Sequence, residues 1–245
     1  MSFALIRSIA VTGPLIALAT MGMGSLSLLV SLFDSSGRAQ HSVARAWARM
    51  LLAVFRVRVT LEGLEKINPE RSYVFASNHL SYVDTPVVLG FIPAQFRFLA
   101  KQSLFSVPFL GYHLKRAGHI SVPRENARAS VRVMGEAARL LRESTASILV
   151  FPEGERTGGE LQEFKEGAAY IAIKAGAPIV PLAVRGTRAI LPVHTLTVRG
   201  GPVRLTVGDP IPTQGLTLRD RQRLTAQVRA RIAEMLDPPI AAARE

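Results

Sequence analysis

His79 and Asp84 stand five residues apart, in Asn78-His79-Leu80-Ser81-Tyr82-Val83-Asp84, just where a hydrophobic run ends. An imidazole held by a carboxylate is the simplest general base near neutral pH. The carboxylate fixes the tautomer and favours the imidazolium that forms when a proton is taken. A second cluster, Phe151-Pro152-Glu153-Gly154-Glu155-Arg156-Thr157, follows another apolar run and sets a carboxylate, a glycine and an arginine in one turn. Gly154 permits a positive φ and close backbone approach. Lys101, Arg124 and Arg156 each follow a predicted strand, and three cations converging on one pocket would bind a phosphate. Each taken alone is an ordinary surface charge. An Asp in the first turn of a helix is likewise ordinary dipole chemistry. His79, Asp84, His113, His119 and Glu153 are possible nitrogen and oxygen ligands, but none has paired helical spacing and there is no thiolate. No metal site is expected from them.

These residues need strands to end beside one another. Seven short apolar or alternating runs read as strands: 57–61, 73–76, 96–100, 119–122, 148–151, 178–184 and 203–207. Between them the spacing predicts a helix from Ala127 to Glu143 and another from Gly167 to Ala175, stopped at Gly176. A last helix begins near Thr217, which makes a capping box with Asp220. Strands alternating with helices imply an α/β fold with a central, mostly parallel sheet flanked by helices. In such sheets, sites gather beyond the carboxyl ends of the strands. His79, Lys101, Arg124, Glu153 and Arg156 all fall there.

The remaining chain is basic and greasy. Lys and Arg number 30 against 18 Asp and Glu, a net charge of +12, and mean hydropathy is +0.23. Such a surface seeks polyanions: lipid headgroups or an acidic carrier protein. With 7% aromatic residues and no basic, aromatic-studded motif, no nucleic acid partner is expected. There is no cysteine, which excludes disulfides. No charge interrupts Ser8 to Phe33, though Pro14 and several glycines loosen it. At 1.5 Å per residue this stretch reaches roughly 39 Å, long enough for a tilted span or a kinked, half-inserted helix. Arg7 precedes it and Arg38, Arg45 and Arg49 follow, so the downstream part should face the cytoplasm. Ser42 to Phe55 reads as an amphipathic helix with Val43, Trp47, Met50, Leu51 and Val54 on one face. It either lies in the headgroup layer or packs on the body. The expected division is membrane-anchoring helices over 1–56 and a catalytic domain over 57–245.

The two clusters resemble the NHxxxxD and FPEGxRS/T blocks of the glycerolipid acyltransferases that make phosphatidic acid from 1-acyl-glycerol-3-phosphate. Gly118 to Arg124 is similar to a third block ending in a phosphate-binding arginine, with Pro123 where the family usually has an acid. Ile179-Val180-Pro181-Leu182 is similar to the fourth, and Phe164-Lys165-Glu166-Gly167 also falls where the family has a Lys and a Gly. The resemblance spans about residues 40–210. It implies that His79, oriented by Asp84, deprotonates the hydroxyl of a lysophospholipid acceptor, which attacks the thioester of acyl-CoA or acyl carrier protein. It also implies substrate binding by Lys101, Arg124, Glu153, Gly154, Arg156 and Thr157, with no cofactor. The turn at Glu153-Gly154, or a nearby backbone amide, is a candidate oxyanion donor. The implied location is a bacterial inner membrane. Two alternatives stay open: a different lysolipid acceptor, such as a lyso-ornithine lipid, or a membrane-tethered protein that merely holds anionic lipids.

Overall fold

The computed structural model describes residues 3–123, 126–156 and 159–236. The chain opens with α1 (Phe3–Arg7), a π-helical turn (Ser8–Thr12) and α2 (Gly13–Val30). Pro14 has no N–H to donate to the preceding turn, and the widened turn just before it absorbs that gap. Then come α3 (Arg38–Val54), β1 (Val57–Glu62), β2 (Val74–Ser77), α4 (Asp84–Phe91) and β3 (Phe96–Lys101). Next are α5 (Leu110–Arg116), β4 (Ile120–Val122), α6 (Ala127–Glu143), β5 (Ser147–Val150) and α7 (Gly167–Ala175). The chain closes with β6 (Ile179–Arg185), α8 (Thr187–Ile190), β7 (Gly201–Val207) and α9 (Arg221–Leu236).

All seven strands join one sheet in the order β1-β7-β6-β2-β5-β3-β4. Every pairing is parallel except β6 with β7. Five strands therefore share one direction, and β1 and β7 run against them. The central β2 and β5 are buried at every residue, as strands covered on both faces must be. One face packs Phe75, Val87, Val88 and Phe96 under α3 and α4; the other packs Ala138, Leu141, Ile171 and Val228 under α6, α7 and α9. Truncating Phe75 to Ala would cost about 3–5 kcal/mol. Gly176 at φ +67 ends α7, and the Thr217–Asp220 capping box starts the final helical segment.

α3, the amphipathic helix of the sequence reading, matches it in part: Leu51 is buried and Trp47 and Val54 pack on the core. Its buried residues are Gln40, His41, Ala48, Leu51 and Leu52, whereas Met50 is exposed. α3 packs on α4, and Arg49 reaches the carbonyl of Gly90 at the end of α4 (2.8 Å). α2 lies along α3 and α5: the Trp47 Nε1–H donates to Thr20 (3.1 Å), and Ser27 Oγ meets His113 Nδ1 at 2.8 Å. From Ala4 to Val30 the chain is the one segment among the described residues long and apolar enough to cross a membrane, at mean hydropathy 1.7.

Two histidines sit under this helical cover. Burial pushes His41 down to about 3, helped by the Arg97 and Arg45 cations, and holds His119 well below the usual imidazole range. The unfolded chain, with histidines near 6.5, then takes up protons that the native chain refuses. Stability is full above about pH 6.5 and falls below it, by roughly 1.4 kcal/mol at about pH 5.5 for His41, with His119 acting in the same direction. Thermal unfolding in detergent should show this loss, and His41→Leu should remove one histidine's share. A midpoint equally pH-sensitive in that variant would contradict the assignment.

Candidate functional site

The site begins where β2 stops. β6, β2 and β5 are neighbours running the same way, so the turns after Arg185, Ser77 and Val150 meet at one edge. Asn78 extends the ladder with its side chain: Nδ2 donates to the Val184 carbonyl (2.9 Å) and Oδ1 accepts from the Val184 N–H (2.8 Å). That grip fixes the direction in which His79 leaves the sheet. The imidazole stacks on Phe151 with centroids 3.8 Å apart and planes 13° off parallel.

His79 Nδ1–H donates to Asp84 Oδ2 at 3.0 Å. The same oxygen accepts the N–H groups of Leu80 (2.7 Å) and Ser81 (2.8 Å). Asp84 is fully buried as the first residue of α4, and the Ser81–Val83 turn bends it back onto the histidine. Its Oδ1 accepts a hydrogen bond from the Thr187 hydroxyl, also fully buried. Nδ1 donating to a carboxylate leaves the lone pair of the neutral ring on Nε2, the arrangement of a general base.

Thr187 was absent from the sequence reading. It lies 103 residues from Asp84 in the chain, and only the pairing of β2 with β6 brings the two together. Gly186 makes the turn that delivers it: φ is +96, and a Cβ there would stand 2.6 Å from the Pro202 carbonyl. Thr187→Val would keep the shape and leave Asp84 Oδ1 without this donor, costing about 1–3 kcal/mol of stability. It should also lower turnover by about 10-fold, while Thr187→Ser keeps both. Equal turnover in the Val and Ser variants would rule out a role for the hydroxyl.

Glu153 points inward. Its Oε1 accepts the His79 N–H (2.6 Å) and its Oε2 the Gln162 N–H (3.1 Å). It thereby ties the second cluster to the first. Burial raises its pKa, with a further push from the Asp84 charge, against the lowering effect of the two amides. Gly154 takes φ +84, and its N–H donates to the Phe151 carbonyl (3.0 Å). That N–H closes the turn and is therefore engaged within the loop. Lys165 lies over Gly154, where a Cβ would stand 2.7 Å from Nζ. The loop is clamped from outside by Arg229 of α9, which donates to the carbonyls of Leu161 and Gln162, both at 2.9 Å.

Arg156 places its guanidinium over the Tyr82 ring, 4.2 Å from the centroid, beside the His79–Asp84 turn. Lys101 is exposed at the end of β3, with β5 between it and β2. Arg124 and Thr157 lie outside the described residues. The structure thus joins His79, Asp84 and Glu153 directly, with Gly154 and Arg156 in the adjoining turn, and leaves Lys101 further along the same edge. Among the described residues, no group of three His, Asp or Glu side chains has the arrangement of a metal site.

The sequence model of the acyltransferase family matches residues 58–185, 128 of the chain's 245 residues. The Arabidopsis thaliana chloroplastic 1-acyl-sn-glycerol-3-phosphate acyltransferase LPAT1 is 31% identical over 212 residues, covering 85% of this chain and 57% of its own length. The Homo sapiens 1-acyl-sn-glycerol-3-phosphate acyltransferase alpha is 30% identical over 177 residues, 72% of this chain and 62% of its own. The chain spans about three fifths of the length of the curated relatives it matches. The crystal structure of the 1-acyl-sn-glycerophosphate acyltransferase PlsC from Thermotoga maritima superposes with a TM-score of 0.79. It is 25% identical, covering 95% of this chain and 98% of that one. With a buried histidine–aspartate pair at the strand ends, a matching family model and relatives over most of its length, the chain belongs to the acyltransferase family.

Proposed function

We propose that the chain transfers a fatty acyl group from acyl-CoA or acyl carrier protein to the free hydroxyl of 1-acyl-glycerol-3-phosphate, forming phosphatidic acid. The observation that carries this reading is the His79–Asp84 pair, packed on Phe151 and sharing an edge with Arg156. His79 Nε2 takes the proton of the acceptor hydroxyl as its oxygen attacks the thioester carbonyl. The tetrahedral intermediate collapses, the C–S bond breaks, and the imidazolium returns its proton to the leaving thiolate. The products are the ester and a free thiol, and no acyl-enzyme forms. Asp84 orients the ring and offsets the imidazolium charge.

Arg156 holds the headgroup phosphate, with Lys101, Arg124 and Thr157 supplying further contacts and Gly154 letting the backbone approach. Glu153 acts by positioning: it sets the spacing between the His79 turn and the loop that carries Arg156. The apolar N-terminal helix brings the body to the bilayer, where the acceptor resides. The Arg7 side against the Arg38, Arg45 and Arg49 side supports a cytoplasmic face of a bacterial inner membrane.

The test is a panel of lysolipid acceptors offered with one labelled acyl-CoA to purified protein in detergent. Selective labelling of 1-acyl-glycerol-3-phosphate is expected, and labelling of a phosphate-free lysolipid alone would overturn the assignment. Arg156→Ala should raise KM for the phosphate-bearing acceptor about 10- to 100-fold, in line with loss of a charge-assisted contact of about 1.5–3 kcal/mol. An unchanged KM would move phosphate binding elsewhere.

A further inference from the structure

We infer that the segment from Leu104 to Tyr112, on the body of the protein, enters the surface of an anionic phospholipid bilayer alongside α2. Leu104, Val107, Phe109, Leu110 and Tyr112 are all large and are 39–53% exposed within nine residues. Isolated exposed apolar side chains are ordinary; five in one short segment form a patch that a water-facing surface rarely carries.

α2 is itself bare along another face, where Leu18, Met21 and Leu29 are 55–66% exposed. The two elements are joined rigidly. The Phe109 ring rests against Gly24, where a Cβ would stand 2.3 Å from the ring. Ser27 meets His113 at 2.8 Å, and the Arg116 guanidinium donates to the Ser31 carbonyl. A helix that associates with lipid therefore brings this segment to the same level.

The backbone suits that environment, because a segment entering lipid must pair its own polar groups. The N–H groups of Val107, Leu110 and Gly111 donate to the carbonyls of Leu104, Pro108 and Val107 at 3.3, 2.8 and 2.7 Å. The turn is tight enough that a Cβ on Gly111 would lie 2.1 Å from the Phe105 carbonyl oxygen. Charge selects the lipid. No Asp or Glu occurs between Asp84 and Glu125, while Lys101, Lys115 and Arg116 flank the patch. Basic residues beside an apolar patch favour anionic headgroups.

The placement also has a consequence for the site. The segment starts at the end of β3, on the edge where His79 leaves β2, with only β5 between the two strands. The bilayer surface would then meet the protein on the same side as the histidine. The inference rests on the membrane association of α2 and stands whether or not acyl transfer is the activity.

The chain has no cysteine, so a single introduced thiol carries a unique nitroxide. The full chain with Val107→Cys or Leu110→Cys, each checked by circular dichroism, is bound to vesicles of phosphatidylethanolamine and phosphatidylglycerol. Power saturation is then read against oxygen and a water-soluble nickel chelate. Both labels are expected to favour oxygen, as a Leu18→Cys label does, and to lose nickel accessibility at least about 5-fold relative to Gln222→Cys on α9. Nickel accessibility at 107 and 110 equal to that at 222, with position 18 protected, would overturn the inference. So would equal protection on vesicles of phosphatidylcholine alone, because the basic flank would then select nothing.

Discussion

His79→Ala is expected to lower kcat for acyl transfer by about 10²–10⁴-fold, the range of a removed general base. KM for the acceptor should change little, since the proposed reading assigns the headgroup to the cations and not to the imidazole. The reason for so large an effect lies in the packing. His79 is stacked on Phe151 and held at Nδ1 by Asp84, and it is only 6% exposed. No other imidazole has that relation to a carboxylate among the described ion pairs. Initial rates on purified protein in detergent, alongside circular dichroism to verify folding, measure the effect. A folded Ala variant with wild-type kcat would remove the base.

Asp84 allows a sharper separation of folding from chemistry. Its two oxygens accept from four donors: His79 Nδ1, the Leu80 and Ser81 amides, and the Thr187 hydroxyl. Asp84→Asn keeps a carbonyl oxygen for the three N–H donors. It turns an NH₂ toward Thr187, whose hydroxyl can accept as readily as it donates. The variant should fold with close to native stability and still lose about 10²–10³-fold in kcat, because the charge that favours the imidazolium has gone. Asp84→Ala strands all four buried donors and should be destabilised by several kcal/mol, at about 1–3 kcal/mol for each. Thermal midpoints and kcat measured on both variants test this. Equal destabilisation of Asn and Ala, or an active Asn variant, would contradict the role of the charge.

How much of this could be read from the chain follows from the range of each interaction. His79 and Asp84 stand five residues apart, so both groups are visible in the chain, but that spacing reads equally as helix-start chemistry and the family resemblance carries the pairing. The seven strands stood out through β-branched and aromatic runs, and the Thr217–Asp220 cap through three-residue spacing. What escaped depends on contacts made across the sheet. Thr187 matters only because β6 lies beside β2, and Arg229 only because α9 passes the loop at Leu161 and Gln162. α5 was missed because its seven residues show no clean period, with Tyr112 outward and Leu114 inward. On α3, Leu51 is buried and Trp47 and Val54 pack on the core as the apolar stripe implies; Met50 is exposed, and the small Ala48 lets α4 approach. Glu153 was expected at the substrate; its oxygens face two backbone amides instead, a choice that residue type does not encode.

The most direct measurement of the central claim is acyl transfer by His79→Gly with and without added imidazole. Removing the ring leaves a slot bounded by Phe151 and Asp84 that matches the lost side chain. The account predicts turnover lowered by at least about 10²-fold, restored in a saturable way by imidazole and unaffected by pyrrole, which has the shape but no basic nitrogen. Wild-type turnover by the folded Gly variant in the absence of imidazole would contradict it.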